Sequence, residues 1–159
     1  MITFEDILPH LCELFIEKLP LYIEEINKIH NDGLIIHPFE NKTLFENCQK
    51  LPCFKFELLE AEYSEKDRII ENTVFDFSLE IKIKYNGDTK LLETIRYVQA
   101  IDKMLNETEL NNLKIIILTV IKDKIKFRIV LLLASGENNL HESGEINQKK
   151  SKEKSHYQF

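Results

Sequence analysis

The longest regular pattern in the chain is a strict alternation of apolar and polar residues. From Phe75 to Tyr85 every odd-numbered residue is apolar or aromatic, and every even-numbered residue is polar. Successive side chains of a β-strand point to opposite faces of its sheet, so the alternation predicts a long strand with one buried and one wet face. Cys53 to Leu58 alternates in the same way, with Lys55 and Glu57 on the polar side, and predicts a second strand.

Helical spacing governs two other parts of the chain. Before Gly33 apolar residues recur every three or four positions and Pro20 interrupts them, which predicts two helical pieces or one kinked helix. Gly33 itself suits the left-handed end of a helix. After Asp88 a second stripe predicts one amphipathic helix with Arg96 among its outward-facing residues. The apolar stripe of that helix is formed by Leu91, Leu92, Ile95, Val98, Ile101 and Leu105.

Two more strands are predicted near the end of the patterned region. Leu113 to Ile121 is apolar at nearly every position, which indicates burial on both faces. Ile125 to Leu133 has one fully apolar face, and its other face becomes apolar at Val130 and Leu132. We interpret this last strand as an edge strand whose second apolar face needs a covering helix or a neighbouring subunit.

The element order is therefore α-β-β-α-β-β, which is typical of an α+β fold. We expect an antiparallel or mixed four-stranded sheet packed by an N-terminal helical segment and one central helix. With 159 residues, 43% of them apolar, the chain suits a single domain, which we assign to residues 1–134. Residues 135–159 are polar with only isolated apolar residues, and they predict a disordered tail.

Charge and hydropathy narrow the class of protein. The net charge of −6 gives no hint of the basic face that a general nucleic-acid binder carries, although a local basic patch stays open. No apolar run approaches the roughly 20 residues of a membrane span, so we expect no membrane association. Met1 to Pro9 carries two acidic residues and no basic one, so we also expect no signal peptide.

The chain offers few residues in patterns that carry chemistry. Its histidines are scattered, and its four glycines build no phosphate loop. Cys12, Cys48 and Cys53 have neither a paired nor a metal-ligating spacing, and we interpret them as three free thiols in a reducing cytoplasm. We therefore assign no catalytic residue, no cofactor and no metal ligand, and we expect the protein not to be an enzyme.

One catalytic alternative stays open on the long strand. Glu80 and Lys82, two residues apart, match the acid and lysine of metal-dependent nucleases of the restriction-endonuclease type. In those enzymes an upstream acid completes the metal site, and the candidates for it are Asp67, Glu71 and Asp76. The competing interpretation is that Glu80 and Lys82 are ordinary charged residues on the polar face of an alternating strand.

A resemblance to a known family rests on the segment from Leu51 to Leu105. The segment contains a strand entered through Leu51-Pro52-Cys53-Phe54, an acidic loop from Glu62 to Arg68, the alternating strand, and a helix containing Tyr97-Val98-Gln99-Ala100-Ile101. In this order the chain resembles phage tail terminator (tail completion) proteins and related head–tail connection proteins. The resemblance covers most of Met1 to Ser135 and consists of element order and periodicity. The long helical region before Gly33 and the polar tail depart from the family.

The resemblance implies a structural protein of a phage or prophage. Members of that family form a ring, usually a hexamer, that caps the tail tube, stops its polymerisation and joins it to the head. The expected partners are further copies of the chain, the tail tube protein and head–tail connector proteins, while DNA passes through without specific binding. The expected location is the bacterial cytoplasm during assembly and then the virion tail.

Oligomerisation requires a contact surface, and the pattern suggests where it lies. The expected contacts are the second face of the last strand, the start of the first helix and the irregular segment 34–48. The individual candidates are Val130, Leu132, Phe4, Ile35 and Ile36. The remaining alternative is a monomeric binding module that recruits partners through the tail after Ser135.

Overall fold

The computed structural model describes residues 4–66, 69–84 and 87–132, with side chains omitted at 63–66, 69–73 and 132. Over these residues the chain is an α+β fold with the predicted element order: a helical region, two strands, one helix and two strands. The predicted domain boundary at 134 and the predicted tail over 135–159 lie outside the described residues, so both stay predictions.

The N-terminal helical region is one uninterrupted run. It comprises α1 (Phe4–Cys12), a π-helical segment (Glu13–Lys18) and α2 (Leu19–His30). Pro20 has no N–H to donate, and its ring would clash with the carbonyl four residues back in a regular helix. The wider π turn just before it, in which the N–H of Leu19 donates to the Leu14 carbonyl, accommodates the proline without ending the helix.

The helix ends in left-handed backbone, although at two residues and not only at the predicted glycine. Asn31 (φ 40°) donates its N–H to the Asn27 carbonyl at 3.1 Å, and Gly33 (φ 85°) follows. Residues 31–52 form neither helix nor strand. Asn27 fixes the start of this segment to α2, because its side-chain amide accepts from the Ile36 N–H (3.0 Å) and donates to the Ile36 carbonyl (2.9 Å).

Four antiparallel strands form one sheet. They are β1 (Cys53–Lys66), β2 (Ile69–Lys82), β3 (Leu113–Ile121) and β4 (Lys124–Leu132), in the spatial order β1-β2-β4-β3. The helix α3 (Thr89–Glu107) connects the first hairpin to the second. The first hairpin is longer than its pattern predicted: the polar segment from Tyr63 to Arg68 was expected to form a loop, but β1 continues to Lys66 by pairing with the start of β2. Backbone pairing needs no apolar side chains, so periodicity gave no signal there.

The strand order corrects the prediction for the second hairpin. The last strand, β4, was expected at the edge of the sheet but lies inside it, with Phe127 opposite Phe77 on β2 and Ile117 on β3. β3, expected to be buried on both faces, is the edge strand. Its apolar residues therefore reach the surface, and the excess apolar surface that the sequence indicated belongs to β3.

The core lies between the helices and one face of the sheet. Phe15 from the π-helical segment contacts Phe127 (ring centroids 5.6 Å apart) and Phe56 (5.7 Å), and Phe77 completes this cluster beside both. The sheet residues buried on this face are Phe54, Phe56, Phe75, Phe77, Leu79, Ile81, Ile125, Phe127, Ile129 and Leu131. The alternation from Phe75 to Ile81 thus points its apolar residues into the core, as predicted.

Candidate assembly surface

The edge strand β3 exposes several large apolar side chains. Ile116, Val120 and Ile121 are 39%, 44% and 67% exposed, whereas Leu113 at the start of the strand is buried. An exposed edge strand rich in β-branched apolar residues is a template for pairing with another chain, and natural proteins usually protect it with charges, prolines or a covering element. β3 carries one exposed lysine, Lys114, but no further strand pairs with its outer edge among the described residues, so this edge is the first part of a candidate contact surface.

The backbone of β3 is also directed at this open edge. Residues of an antiparallel pair alternate between those whose N–H and C=O point at the partner and those whose groups point away. The Ile81 N–H donates to the Asp123 carbonyl, just before β4, at 2.7 Å. The backbone groups of Ile81 and, by alternation, those of Phe77 therefore point at β4. The backbone N–H and C=O of Phe127, which is opposite Phe77, therefore point at β2. Ile117 is opposite Phe127 on β3, so its own backbone groups point away from β4. By the same alternation, Ile115 presents free donors and acceptors to a further strand.

The helix α3 adds apolar surface beside the edge strand. Leu91, Leu92 and Ile95 were predicted to belong to the buried stripe of the helix, but they are 67%, 41% and 44% exposed. An open groove lies between α3 and β3, and its apolar lining comes from Ile95, Val98, Ile117 and Val120. What we call the α3–β3 surface comprises the exposed apolar residues on both sides of this edge: Leu91, Leu92, Ile95 and Val120 on the helix side, and Ile116 and Ile121 on the other face of the sheet.

The buried side of α3 is shifted relative to the prediction because an ion pair occupies it. Arg96, expected in solvent, is 2% exposed and donates to both carboxylate oxygens of Asp32 and, at 2.6 Å, to the Leu34 carbonyl. The hydrogen bonds that the Asp32 carboxylate accepts from Arg96 lower the pKa of Asp32 to about 2. Next to this pair the Tyr97 hydroxyl donates to the His37 carbonyl at 2.7 Å, and burial raises the pKa of Tyr97. The pair fixes α3 on the segment after α2 and so turns Leu91 and Ile95 outward.

The residues that the sequence proposed as contacts differ in their exposure. Ile35 is 58% exposed and is available to a partner, but Ile36 is 2% exposed inside the chain's own core, which corrects its assignment to the surface. Val130 is half-buried on the polar face of β4, opposite Lys114. Leu132 pairs with β2 through its backbone, and its side chain lies outside the described part of the structure.

Phe4, the candidate at the start of the first helix, is largely used within the chain. Its ring lies 5.6 Å from that of Phe77, 5.9 Å from Phe75 and 6.2 Å from Phe45. It is half-buried by these contacts. Phe4 therefore covers one end of the core, and only its remaining exposed part is available to a partner.

The polar face of the sheet carries an internal ion pair. Asp76 is 3% exposed, and Arg128 on β4 donates to both of its carboxylate oxygens, from Nε at 2.8 Å and from Nη2 at 3.0 Å. These hydrogen bonds, followed by the charges of Arg128 and Lys126, hold the pKa of Asp76 below its usual value. Asp76 is therefore an ionised carboxylate committed to Arg128.

Glu80 and Lys82, the nuclease candidates, lie on this polar face. Glu80 is paired in register with Lys55 on β1 and Lys124 on β4, as expected for charged residues on the wet side of a sheet. Of the upstream acids, Asp76 is committed to Arg128, whereas Asp67 and the side chain of Glu71 lie outside the described part of the structure. Within the ranges that the structure describes, no group of three or more histidine, cysteine or acidic residues is arranged to hold a metal ion.

The cysteines correct another expectation. Cys48 and Cys53 form a disulfide with Cα atoms 5.9 Å apart, and Cys12 is a free thiol. Three free thiols were expected because the spacing of Cys48 and Cys53 matched no known pairing or metal site. The segment before β1 folds back on itself, with the Glu40 N–H donating to the Pro52 carbonyl at 2.8 Å, and this turn brings the two sulfur atoms together.

The same folded segment closes the beginning of the β1 edge. Asn41 is buried, and its side-chain oxygen accepts from the Phe54 N–H at 2.9 Å while its NH₂ donates to the Phe54 carbonyl at 3.0 Å. The amide thus occupies the place of a neighbouring strand at Phe54. The sequence gives no sign of this role, because an asparagine in an irregular segment has no periodic pattern.

Comparison with known proteins assigns the chain to no family. No protein-family model matches the chain, and no curated protein matches it. No helix in the described ranges is long and apolar enough to cross a membrane.

Proposed function

We propose that the chain is a structural assembly protein of a phage or prophage tail, which oligomerises into a ring, usually of six copies, that caps the tail tube and joins it to the head. The observation that carries the proposal is the α3–β3 surface, a set of exposed apolar side chains on both sides of an open strand edge. The order α-β-β-α-β-β, which resembles that of tail terminator proteins, supplies the class of assembly.

The size of the patch supports self-association. Fully burying a Val, Leu or Ile side chain contributes about 1.5–3 kcal/mol relative to leaving it exposed. Five residues of the α3–β3 surface (Leu91, Ile95, Ile116, Val120, Ile121) are 39–67% exposed, so covering them contributes on the order of 5 kcal/mol. Association costs about 4–15 kcal/mol in lost freedom, so strand pairing along the edge must add to this apolar contact.

The proposed ring meets the tail tube protein on one side and the head–tail connector proteins on the other. The net charge of −6 suits a channel through which DNA passes without binding, because like charges repel along its wall. Assembly takes place in the bacterial cytoplasm, and the finished ring belongs to the virion tail or to a tail-like particle.

The first experiment measures mass in solution by light scattering after size exclusion, with negative-stain microscopy of the same sample. The wild-type chain is expected to form rings, either by itself at high micromolar concentration or on purified tail tubes. Ile121→Lys, at a site that is 67% exposed on β3, is expected to abolish ring formation because the lysine charge would be buried in the contact.

Leu21→Lys is the matched control for that substitution. Leu21 is 61% exposed on α2 and lies outside the α3–β3 surface. The control variant is expected to form rings like the wild type. A wild-type chain that stays monomeric both in solution and in the presence of tail tubes would refute the proposed function.

A further inference from the structure

We propose that assembly is head-to-tail: the β3 edge of one copy pairs in antiparallel fashion with the β1 edge of the next copy, so that the sheets of neighbouring subunits become continuous. This inference rests on the proposed function and names the partner of the α3–β3 surface as the opposite edge of a second copy of the chain.

The β1 edge has an open stretch that can pair with the first part of β3. Asn41 occupies the edge at Phe54, so a further strand cannot pair there. By the alternation of the ladder, Phe56 and Leu58 direct their backbone groups away from β2, as Phe54 does. Within the described residues no side chain bonds to these groups as Asn41 does at Phe54. The open stretch runs from Phe56 to Glu62 and is shorter than the nine-residue β3, so it pairs with the part of β3 from Leu113 to Ile117.

The strand directions allow this pairing under cyclic symmetry. Each neighbouring pair in the order β1-β2-β4-β3 is antiparallel, so β3 runs opposite to β1 within one chain. A rotation about an axis roughly parallel to the strands keeps the direction of every strand. It therefore brings the next copy's β1 beside β3 in antiparallel orientation, with the polar faces of both sheets on the same side. Heterologous contacts of this kind close into rings.

The charges of the two edges are complementary. On its polar face β1 carries Glu57, Glu60 and Glu62, all exposed, whereas β3 begins with the exposed Lys114. The bulge between Leu58 and Glu60 sets the spacing of these residues along the strand. With Phe56 opposite Ile117, Glu57 faces Ile116 and Glu60 faces Lys114. An opposite-charge pair directly across two strands is favourable.

The apolar residues and the neighbouring strand support the same register. Leu58 and Leu59 on β1 are 39% and 47% exposed, and they would meet the apolar side chains of β3. Behind β3, Arg128 on the polar face of β4 lies opposite Ile116, which faces Glu57 of the next copy in this register. The contact therefore combines apolar cover with charges of opposite sign.

Two-fold pairing of identical edges lacks this complementarity. Two β1 edges would bring the acidic row of Glu57, Glu60 and Glu62 against its own copy. Two β3 edges would join Lys114 and Lys122 of both copies, flanked by the lysines of both β4 strands, with no acidic residue on the polar face of either β3 strand. Like charges across neighbouring strands are destabilising, so charge favours the heterologous arrangement.

The decisive test is a charge exchange in the full chain. One variant carries Glu60→Lys and Glu62→Lys on β1, and the other carries Lys114→Glu on β3. Each variant by itself is expected to assemble at least 10-fold more weakly than the wild type under the condition in which the wild type forms rings. An equimolar mixture is expected to restore rings in which the two variants alternate, as native mass spectrometry would measure.

The outcomes of the exchange distinguish the alternatives. The control variant carries Glu17→Lys and Glu24→Lys, two exposed acidic residues on the N-terminal helical run, and is expected to assemble as the wild type does. If the β1 variant assembles normally while the β3 variant does not, the contact is a two-fold pairing of β3 edges and the head-to-tail proposal is overturned. Folded variants whose mixture fails to assemble would also overturn it. A wild type that never forms rings refutes the proposed function instead.

A cross-linking measurement keeps the inference testable if a charge variant does not fold. In a Cys12→Ser background, Glu60→Cys and Lys114→Cys place one thiol on each edge of every chain. Under mild oxidation, head-to-tail contacts are expected to give a covalent ladder of dimers, trimers and longer chains on a non-reducing gel. A pattern that lacks any product longer than a dimer, under conditions where the rings are intact, would contradict the proposal.

Discussion

The Asn41 amide is the contact whose removal has the most specific expected effect. Asn41→Ala deletes two hydrogen bonds to Phe54, at 2.9 Å and 3.0 Å, on a buried side chain. Each such bond contributes about 0.5–1.5 kcal/mol, and a buried polar group left without a partner costs about 1–3 kcal/mol. Because water can reach part of a strand edge once the amide is gone, we expect a loss of about 2–3 kcal/mol in the free energy of unfolding.

Urea unfolding followed by circular dichroism measures this loss, since a shift of the midpoint at constant slope reports stability alone. The assay is run at one low protein concentration so that association does not contribute. Asn47→Ala, an exposed asparagine in the same segment, is the matched control, and its effect is expected to stay within about 0.5 kcal/mol. A loss below about 0.5 kcal/mol for Asn41→Ala would refute the assignment of Asn41 as the partner of the β1 edge.

Asn41→Asp separates the two hydrogen bonds. The introduced carboxylate accepts from the Phe54 N–H but cannot donate to the Phe54 carbonyl, and two oxygens then face each other. Protonation restores a donor, so the folded state raises the pKa of this carboxyl group above its unfolded value. The stability deficit relative to wild type is therefore expected to shrink as the pH falls through that pKa. A deficit that does not change between pH 7 and pH 4 would contradict the geometry.

Three further predictions use the same unfolding assay. Phe127→Ala removes a fully buried ring from the centre of the aromatic cluster and is expected to lower the free energy of unfolding by about 3–5 kcal/mol. For Phe45→Ala, at a half-exposed ring, the expected loss is about 1 kcal/mol. Equal losses would contradict the placement of the core. Asp32→Asn removes the carboxylate whose pKa Arg96 lowers to about 2. The wild type is therefore expected to be more stable than the variant above about pH 4, and this difference in the free energy of unfolding disappears as the pH falls from about 4 through about 2. A pH-independent difference would refute that ion pair. Gly33→Ala places a side chain at φ 85° in open space and is expected to cost about 1–2 kcal/mol from backbone strain alone, so no loss would indicate a different backbone there.

The fold class was readable because burial on one face imposes a period on the residues. The alternation from Phe75 onward predicted β2 and its buried face, and the continuous apolar run predicted the bounds of β3 at Leu113 and Ile121. The helical spacing before Gly33 likewise predicted the N-terminal helical region. These signals are local, since each strand or helix must present apolar residues to one side regardless of its neighbours.

The parts that sequence reasoning missed depend on contacts between residues distant along the chain. Arg96 was expected in solvent, as a charged residue on a helix usually is, but Asp32 and the Leu34 carbonyl compensate its burial. Asn41 and the disulfide of Cys48 with Cys53 have no periodic signal, because their roles follow from a turn that is visible only in three dimensions. A short spacing between cysteines does not by itself show whether their side chains converge.

The sequence by itself determined that the chain is α+β and that it carries more apolar surface than its own core covers. Which strand exposes that surface was decided only by the tertiary structure. The apolar patterns of β3 and β4 allow either strand of the second hairpin to lie beside β2, since both have residues suited to an inner position. Pairing with β2 placed β4 inside and left β3 at the edge, because the order of strands is set by long-range backbone pairing and not by the period of any one segment.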